Sequence, residues 1–297
     1  MAANIVDKSI PSFKIFIDGQ EMRTDMEVGS INVENSLDAP DQASFIVINS
    51  VEIPEQDIKW FGEQLTLGQE IEIKLGYADK LDTVFIGIAT SVKINLLNDG
   101  TNKLEVIASD FSYAMTKNIT SFTWNEKKDS DIASSMASTY QLKPNIEDTE
   151  MVHRSIEQDE ADFDFLKMRA AENAYEFYVF NRNLYFREPT YDEKPIATVT
   201  LGDNLISFTA EMDIADQDEK VADKIASSTK TNWSHCLTKA TGDCPGSPKI
   251  LPGNNLEIKG VGKALSKDHY YIEKTVHKMF TGNYLTTFYV RQLIKNA

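Results

Sequence analysis

The stretch SIEQDEADFDFLKMRAAENAYEFYVFNRNLYFR, residues 155–187, has the clearest local pattern in the chain, and the other segments are interpreted outward from it. Its acidic start predicts a helix N-terminus, because Asp159 is a good N-cap residue and Asp162 can complete a capping box. Acidic side chains in the first turn also favour the positive end of the helix dipole. The acids concerned are Asp159, Glu160, Asp162 and Asp164.

The same stretch predicts one buried helix face followed by a hairpin. Phe163, Leu166 and Ala170 recur at helical spacing, and Asn173 can take the left-handed conformation that ends a helix. Two aromatic-rich strands follow, at 176–180 and 184–187, with a short Asn-Arg-Asn loop between them. The stretch therefore predicts a helix-plus-hairpin unit inside a longer β chain.

Composition limits the classes of function. A hydrophobic content of 41% is ordinary for a soluble globular protein. The absence of an apolar run of 18 residues and of a basic, apolar N-terminus predicts neither a transmembrane helix nor a secretory signal. The net charge of −16, from 30 basic and 46 acidic residues, argues against duplex DNA or an anionic membrane as the main partner.

Outside the helix-plus-hairpin unit, most patterns predict β-strands. Regular short strands with turn signals are typical of a barrel or a sandwich. Residues 54–66 predict a short helix or a long loop, and Asn98-Asp99-Gly100 predicts a turn. The strands predicted in this first part are Phe13–Ile17, Ile31–Glu34, Ala43–Ile48, Glu70–Leu75, Thr83–Ile88, Ser91–Leu97 and Lys103–Ser109.

The pattern changes after residue 112. Asp129–Tyr140 predicts a helix capped by Asp129, so that residues 113–193 form an α+β section. Residues 227–250 are polar, rich in Ser, Thr, Gly and Pro, and without a period, which predicts a loop. Strands resume at Ile196–Leu201, Leu205–Asp213, Asn255–Lys259, Tyr270–His277 and Tyr284–Leu293.

The two β portions resemble each other in sequence. Leu67–Gly76 can be laid over Leu251–Gly260, and an aromatic residue opens the next strand in both, Phe85 in the first and Tyr270 in the second. The predicted organisation is a mainly β (α+β) chain with a first β-barrel domain at 1–112, an α+β middle domain at 113–193 and a second β-barrel domain at 194–297. The loop 227–250 is predicted as an insertion in the last of these.

Several motifs invite a chemical interpretation, and a structural one explains each. The acids of the opening stretch suggest the paired carboxylates of a glycosidase, but helix capping accounts for their position. The motif Gly260-Val261-Gly262 has no third glycine and no predicted helix after it, so a dinucleotide-binding loop is not predicted. The hairpin aromatics could stack bases or sugars, but their alternation favours core packing. They are Phe177, Tyr178, Phe180, Tyr185 and Phe186.

The histidines and cysteines give no recognised site. Cys236 and Cys244 are too far apart for a redox pair, and free thiols are favoured over a disulfide. Ser234-His235-Cys236 has no signature of acyl transfer. The histidines, of which none lies at a metal-binding spacing, are His153, His235, His269 and His277, and a structural role is favoured for the last. No catalytic residue, metal ligand or cofactor-binding residue is predicted, and the chain is not expected to be an enzyme.

The order of these motifs resembles that of the phage late control protein D family. The residues that carry the resemblance are Ser155–Leu166, Ala170-Ala171-Glu172, Leu184-Tyr185-Phe186, Gly68-Gln69, Phe85–Ile88, Pro252-Gly253, Gly260-Val261-Gly262, Tyr270-Tyr271-Ile272, Val276-His277 and Gly282–Phe288. Members of this family are baseplate hub proteins of contractile phage tails, tailocins and related injection systems. The resemblance covers nearly the whole chain, although residues 227–250 match nothing in the family pattern.

The resemblance implies a homotrimer, in which two tube-like β-barrel domains per chain form a pseudo-sixfold ring. Such a ring adapts a six-fold tail tube to a three-fold spike. Implied partners are the tube protein, baseplate wedge proteins and, because the chain ends at Ala297 just after the last tube-like strand, a separate spike protein. The implied location is the baseplate of a particle assembled in the bacterial cytoplasm. The alternatives are a carbohydrate- or receptor-binding module at the tail tip and, less favoured, a peptidoglycan hydrolase.

Overall fold

Segments of alternating hydrophobicity dominate the chain, and in a computed structural model most of them join one large sheet. The structure describes residues 10–22, 27–48, 51–52, 57–58, 65–95, 103–191, 193–214 and 233–295. Within these ranges there are twenty β-strands, two α-helices and one 3-10 helix. The predicted mainly β fold class is therefore confirmed.

The first β portion is an antiparallel sheet that curls around its own core. Its strands are β1 (Pro11–Ile17), β2 (Gln20–Glu21), β3 (Glu27–Ser36), β4 (Gln42–Ile48), β5 (Val51–Glu52), β6 (Asp57–Ile58), β7 (Glu70–Tyr77), β8 (Lys80–Asn95) and β9 (Lys103–Ser109). The order across the sheet is β3-β4-β9-β8-β7-β1-β2, while β5 and β6 pair only with each other. Alternate side chains point inward and form one core, which includes Ile31, Val33, Phe45, Ile71, Ile73, Phe85 and Val106.

The middle unit, residues 111–187, is the α+β section. Its elements are a 3-10 helix (Phe111–Thr116), β10 (Phe122–Lys128), α1 (Asp129–Thr139), β11 (Lys143–Ile146), β12 (Val152–Gln158), α2 (Asp162–Glu172), β13 (Glu176–Phe180) and β14 (Asn183–Arg187). β10 pairs with β12, and β11-β14-β13 form a second small sheet. The predicted face of Phe163, Leu166 and Ala170 is buried against it. No helix in the described part of the chain is long and apolar enough to cross a membrane.

The second β portion follows the middle unit. Its strands are β15 (Ala197–Thr200), β16 (Ser207–Ile214), β17 (Trp233–Pro245), β18 (Asn255–Lys259), β19 (Lys267–Phe280) and β20 (Asn283–Lys295). They lie in the order β16-β17-β20-β19-β18-β15. Their inward side chains form a separate core that includes Leu256, Ile258, Tyr270, Ile272, Phe288 and Val290.

The two β portions have the same topology. If the six long strands of each portion are numbered along the chain, both sheets read second-third-sixth-fifth-fourth-first. One difference is that β1 runs antiparallel to β7, whereas β15 runs parallel to β18. The internal repeat predicted from the sequence is therefore present in the strand order.

The repeat extends to individual hydrogen bonds. A glycine with positive φ precedes the fourth strand in each portion, Gly68 at +89° and Gly253 at +78°. A reciprocal backbone pair then holds that glycine segment against the fifth strand. The four bonds are Gly68 N to Ala89 O (2.8 Å), Ala89 N to Gln69 O (2.9 Å), Gly253 N to Ile272 O (2.9 Å) and Ile272 N to Asn254 O (2.9 Å). Ala89 and Ile272 are thus corresponding positions.

The prediction of a loop over residues 227–250 is wrong for 233–245, which form β17 at the centre of the second portion. Its inward positions are small, with Ala240, Gly242 and Cys244 against the core, so the strand lacks the large apolar residues that mark most strands. Small residues are needed because a β-carbon at Gly242 would lie 2.5 Å from the Phe288 ring. Packing of a partner side chain, rather than local propensity, selects this sequence.

Replacing Gly242 with alanine is expected to lower the free energy of unfolding by about 1–3 kcal/mol, because the new methyl group must displace the Phe288 ring. Urea unfolding followed by circular dichroism measures the change. The neighbouring Thr241→Ala, on the partly exposed face, is the matched control and should have a smaller effect. Equal stability of Gly242→Ala and the wild type would contradict this packing.

The ends of the two helices differ from their predicted ends. α2 is capped by Ala161 rather than Asp159, and Asp162 is its first residue. Asn173 has φ −94°, so the predicted left-handed residue is instead the next one, Ala174, with φ +57°. Similarly, α1 is preceded by Lys128, and Asp129, predicted as its cap, is its first residue. For Asp129 and Asn173, a tertiary contact uses the polar side chain that local capping rules assign to the helix end.

β8 is also longer than predicted. The sequence predicts two strands, Thr83–Ile88 and Ser91–Leu97, but residues 80–95 form a single strand with an irregularity between Ala89 and Ser91. The hairpin loop contains two residues with positive φ, Asn181 and Arg182, as the tight turn between β13 and β14 requires. The predicted turn at residues 98–100 and most of 54–66 lie outside the described residues.

Candidate assembly interface

The acids of the opening stretch do not converge on a common site. Asp159 and Asp164 are exposed, whereas Asp162 is buried. The Asp162 carboxylate accepts hydrogen bonds from Gln158 Nε2 at 2.6 Å, Asn118 Nδ2 at 2.8 Å and the Tyr140 hydroxyl. Burial, with the carboxylate beside it, raises the pKa of Tyr140 to about 12. This geometry ties the start of α2 to the end of α1 and gives Asp162 a structural use.

A buried ion pair holds the two helices of the middle unit together. Arg169 donates to both Asp129 oxygens, from Nε at 2.6 Å and from Nη2 at 3.0 Å. Asn173 Nδ2 donates to the same carboxylate at 2.7 Å, and His153 Nε2 lies 3.2 Å from it. Burial alone would raise the pKa of Asp129, but hydrogen bonds from Arg169 and Asn173 hold it below its ordinary value.

Where their side chains are described, the remaining histidines and cysteines do not form a cluster. His269 is exposed, and the side chain of His235 lies outside the described residues. Within the described part of the chain, no group of His, Cys, Asp and Glu could hold a metal ion. Cys236 and Cys244 lie eight residues apart on β17, about 26 Å at the rise of a strand, which excludes a disulfide between them in one chain. Cys244 is a buried free thiol, as predicted.

His277 is fully buried, which agrees with the structural role predicted for it. Its Nδ1 lies 3.0 Å from the Thr286 hydroxyl and 3.1 Å from the Tyr284 hydroxyl. Burial lowers the pKa of His277 to about 4 from its ordinary value of 6.5. At pH values between these two numbers, the unfolded chain binds a proton at this position that the folded chain does not bind.

Stability is therefore expected to fall as the pH drops from 6.5 to 4, by up to about 3 kcal/mol through this residue. Urea unfolding of the wild type and of His277→Gln at pH 7 and pH 4.5 isolates the contribution, since other groups titrate in both proteins. The stability difference between the two proteins should shrink at the lower pH. A difference that does not change with pH would contradict a neutral, buried imidazole.

The hairpin aromatics pack on both sides of the small sheet. Phe177 and Phe186 face α2 within the core of the middle unit. On the opposite face, Tyr178 and Tyr185 stack with ring centroids 4.6 Å apart and 6° between the planes. Tyr178 is buried and Tyr185 is half-buried, so this face is used in packing, as the alternation of the aromatic residues predicts.

That second face lies at the junction of all three parts of the chain. Tyr178 from the middle unit contacts Leu37 from the first β portion and Tyr271 from the second in one small buried cluster. The Tyr271 hydroxyl donates to Glu176 at 2.5 Å. Burial raises the pKa of Glu176, although the hydrogen bond from Tyr271 and the charge of Arg187 oppose this shift. The middle unit is thus fixed against both β portions.

Further polar contacts fix the same arrangement. Lys167 Nζ on α2 donates to Leu37 O at 2.8 Å and to Asp38 Oδ1 at 2.6 Å. On the second portion, Gly253 O accepts from Thr190 Oγ1 at 3.1 Å and from Arg187 Nη2 at 3.3 Å. No local sequence pattern predicts these pairs, since each joins residues more than 60 positions apart.

The end of the first β portion is joined to the middle unit by two buried carboxylates. Asp110 accepts from Asp41 N and Ser112 N, both at 2.8 Å, while Asp41 accepts from Asn35 Nδ2 at 2.7 Å. Burial raises the pKa of Asp110 to about 6 and that of Asp41 well above its ordinary value. Their hydrogen bonds anchor the turn after β3 to the start of the 3-10 helix.

The feature with the greatest bearing on assembly is the direct pairing of β3 with β19. Residues 30–36 run antiparallel to residues 274–280, so the two portions share a single 13-stranded sheet. Lys274 Nζ and Glu34 Oε1 lie 2.6 Å apart across this junction. The outermost long strand of the first portion thus adds to the fifth strand of the second. Sheet edges that join in this way are suited to assembly.

Comparison with known families gives one match over most of the chain. Residues 7–229 match the model described as the Alg8 N-terminal domain. Among curated proteins, no sequence match was found.

Solved structures match nearly the full length. The 43 kDa tail protein of prophage MuSo2 from Shewanella oneidensis gives a TM-score of 0.72 at 12% identity, over 94% of this chain and 98% of that chain. A tail protein from Neisseria meningitidis MC58 gives 0.70 at 11% identity, over 95% and 96%.

The third structure is an E. coli component of the type VI secretion system, described as structurally similar to the T4 bacteriophage tail proteins gp27 and gp5. It gives a TM-score of 0.64 at 13% identity, over 96% of this chain and 77% of that chain. At such low identities the matches establish a shared fold. The resemblance to contractile-tail proteins predicted from the sequence is confirmed at that level.

Proposed function

The chain belongs to the Alg8 N-terminal domain family, and from its fold and internal repeat we propose that it is the structural hub of a contractile tail or injection system. In this role three copies form a ring of six similar β portions. The ring joins a six-fold tube on one side to a three-fold spike on the other. The protein acts mechanically and carries out no chemical reaction.

The observation that carries this proposal is the repetition of one six-stranded topology within a single chain. Two equivalent units per chain allow three chains to present six similar surfaces while the assembly keeps three-fold symmetry. The junction between β3 and β19 indicates how one unit follows the next around such a ring. A protein of this kind can face a six-fold partner and a three-fold partner at once.

The shared fold supports a structural role in a tail, because two of the matched structures are tail proteins and the third is a secretion-system component. The described similarity of that third protein to the tail proteins gp27 and gp5 supports the same structural role. The proposed partners are further copies of this chain, the tube protein, the spike and the wedge proteins of a baseplate. The proposed location is the baseplate of a particle assembled in the bacterial cytoplasm.

In the proposed mechanism the middle unit braces the ring. The cluster of Leu37, Tyr178 and Tyr271 holds the two β portions in one orientation, which a ring that transmits force from tube to spike requires. The middle unit also presents its own exposed surface, including Phe122 and Val152, to neighbouring baseplate components. These contacts are distinct from the sheet edges that would close the ring.

Native mass spectrometry over a range of protein concentrations tests the proposal. The expected result is a trimer, either alone or after addition of the spike or tube protein. A chain that remains monomeric at every concentration and with both partners present would contradict a hub function. A separate assay measures whether the protein digests purified cell wall, and we expect no such activity.

A further inference from the structure

The in-chain junction uses only one half of β19. The first part of β19 pairs with β18, through Lys267, Tyr270 and Tyr271. Beyond an irregularity at residue 273, residues 274–280 lie between β20 on one side and β3 on the other. The fifth strand of the second portion therefore extends past its fourth strand and exposes an edge, which β3 covers.

β8 is the counterpart of β19 in the first portion, and it extends in the same way. Residues 80–88 pair with β7, whereas residues 88–95 pair with β9. An irregularity at Thr90 corresponds to the one at residue 273, one position after the corresponding Ala89 and Ile272. Among the described residues no strand pairs with the side of 91–95 that faces away from β9.

β16 is the counterpart of β3 in the second portion, and it is the outermost strand at one end of the shared sheet. It pairs with β17 on one side, and within the described ranges no strand pairs with its other side. Residues that pair across neighbouring strands show which positions of the two β portions correspond. The row Val33–Ala43–Ala108 in the first portion matches Ala210–Ala240–Val290 in the second. Glu34 therefore corresponds to Glu211.

We propose that β16 of one copy pairs antiparallel with residues 91–95 of β8 in the neighbouring copy. The register carried over from the in-chain junction places Glu211 opposite Lys93 and Ala210 opposite Ile94 of the partner. This inference rests on the proposed ring and specifies its interface. Two kinds of junction, one within the chain and one between chains, then alternate around a ring of three copies.

The side chains agree with this register. Glu211 and Lys93 are exposed and opposite in charge, and directly opposed charges stabilise a pair of strands. Glu34, the counterpart of Glu211, also forms an ion pair across the in-chain junction, with Lys274. On the core side, Ile94 is 37% exposed, whereas its counterpart His277, covered by β3, is fully buried. A neighbouring strand would cover Ile94 in the same way.

Charge reversal tests the interface. Lys93→Glu or Glu211→Lys alone should lower the trimer association constant by about tenfold to a hundredfold, because like charges meet at three equivalent positions. The combination Lys93→Glu with Glu211→Lys should restore assembly. Circular dichroism of each variant checks that folding is unchanged. Single reversals that leave assembly intact, or a double variant that is weaker than both, would overturn the proposed register.

Cysteine cross-linking tests the register without altering assembly. In a background of Cys236→Ser and Cys244→Ala, Lys93→Cys combined with Glu211→Cys should form disulfides between copies under mild oxidation. Asn95→Cys combined with Glu211→Cys is the matched control, since a shift of two residues exceeds the reach of a disulfide. A trimer that shows no link at 93 and 211 overturns the register while the hub proposal stands. A persistent monomer overturns both.

Discussion

Replacement of Arg169 with methionine is expected to destabilise the folded chain by about 3–5 kcal/mol, because it leaves the Asp129 carboxylate buried without its cation. Asp129 is 1% exposed and Arg169 is 5% exposed, so water cannot replace the lost partner. Asn173 and His153 remain within reach of the carboxylate, but neither supplies the two-oxygen contact that the guanidinium makes. Urea unfolding followed by circular dichroism gives the free-energy change.

Two further variants separate a buried charge from a general loss of packing. Lys128→Met removes the exposed cation paired with Asp148 and should change stability little. The double variant Asp129→Asn with Arg169→Met should be less destabilised than the sum of its two single changes, because it leaves no unpaired charge. Additive effects, or an Arg169→Met cost no larger than that of Lys128→Met, would contradict the interpretation of this pair as a buried ion pair.

The Asp129 pair also explains why the helix ends were predicted incorrectly. Local capping rules assign Asp129, Asp159 and Asn173 to helix ends. The first and last of these contact Arg169 instead. Asp162, expected only to complete a capping box, accepts hydrogen bonds from Gln158 of β12 and from Tyr140, which follows α1. A sequence window contains the candidate caps but not their distant partners. The existence of the helices was therefore predictable, whereas the residues at their ends were not.

Strand prediction shows the same division. Large alternating residues made β3, β7 and β9 visible, and the hairpin β13–β14 was predicted within one residue of its bounds. β17 was missed because its core positions are small, a choice imposed by the Phe288 ring on a strand more than 40 residues away. β10 and β12 were missed as well, since many of their residues are exposed and polar.

The candidate interface could be predicted only in part. The sequence repeat indicated two similar portions, but it could not show that β3 pairs with β19, because strands about 240 residues apart give no local signal of pairing. Without that junction, there is no observed strand pairing from which the partner and register of the open edges of β8 and β16 can be inferred. The register Lys93–Glu211 follows only when corresponding residues of the two portions have been matched through the sheet.

Tyr271→Ala is expected to cost about 3–5 kcal/mol, because Tyr271 is 1% exposed at the point where the three parts of the chain meet. The variant loses packing against Tyr191 and leaves Glu176 without the hydroxyl that donates to it at 2.5 Å. Because this contact joins separate cores, amide hydrogen exchange in β13 should also become faster. Urea unfolding and hydrogen exchange measure the two effects.

The matched controls for this prediction are Tyr271→Phe and Tyr289→Ala. The phenylalanine variant removes only the hydroxyl and should cost about 1–3 kcal/mol, the usual penalty for leaving a buried polar group unsatisfied. Tyr289 is 38% exposed on β20 and is not part of the cluster of Leu37, Tyr178 and Tyr271, so its truncation should leave exchange in β13 unchanged. If Tyr271→Ala behaved like Tyr289→Ala in both measurements, the cluster would not couple the three parts. The orientation of the two β portions would then depend on the pairing of β3 with β19 and on the ion pair of Lys274 with Glu34 across it.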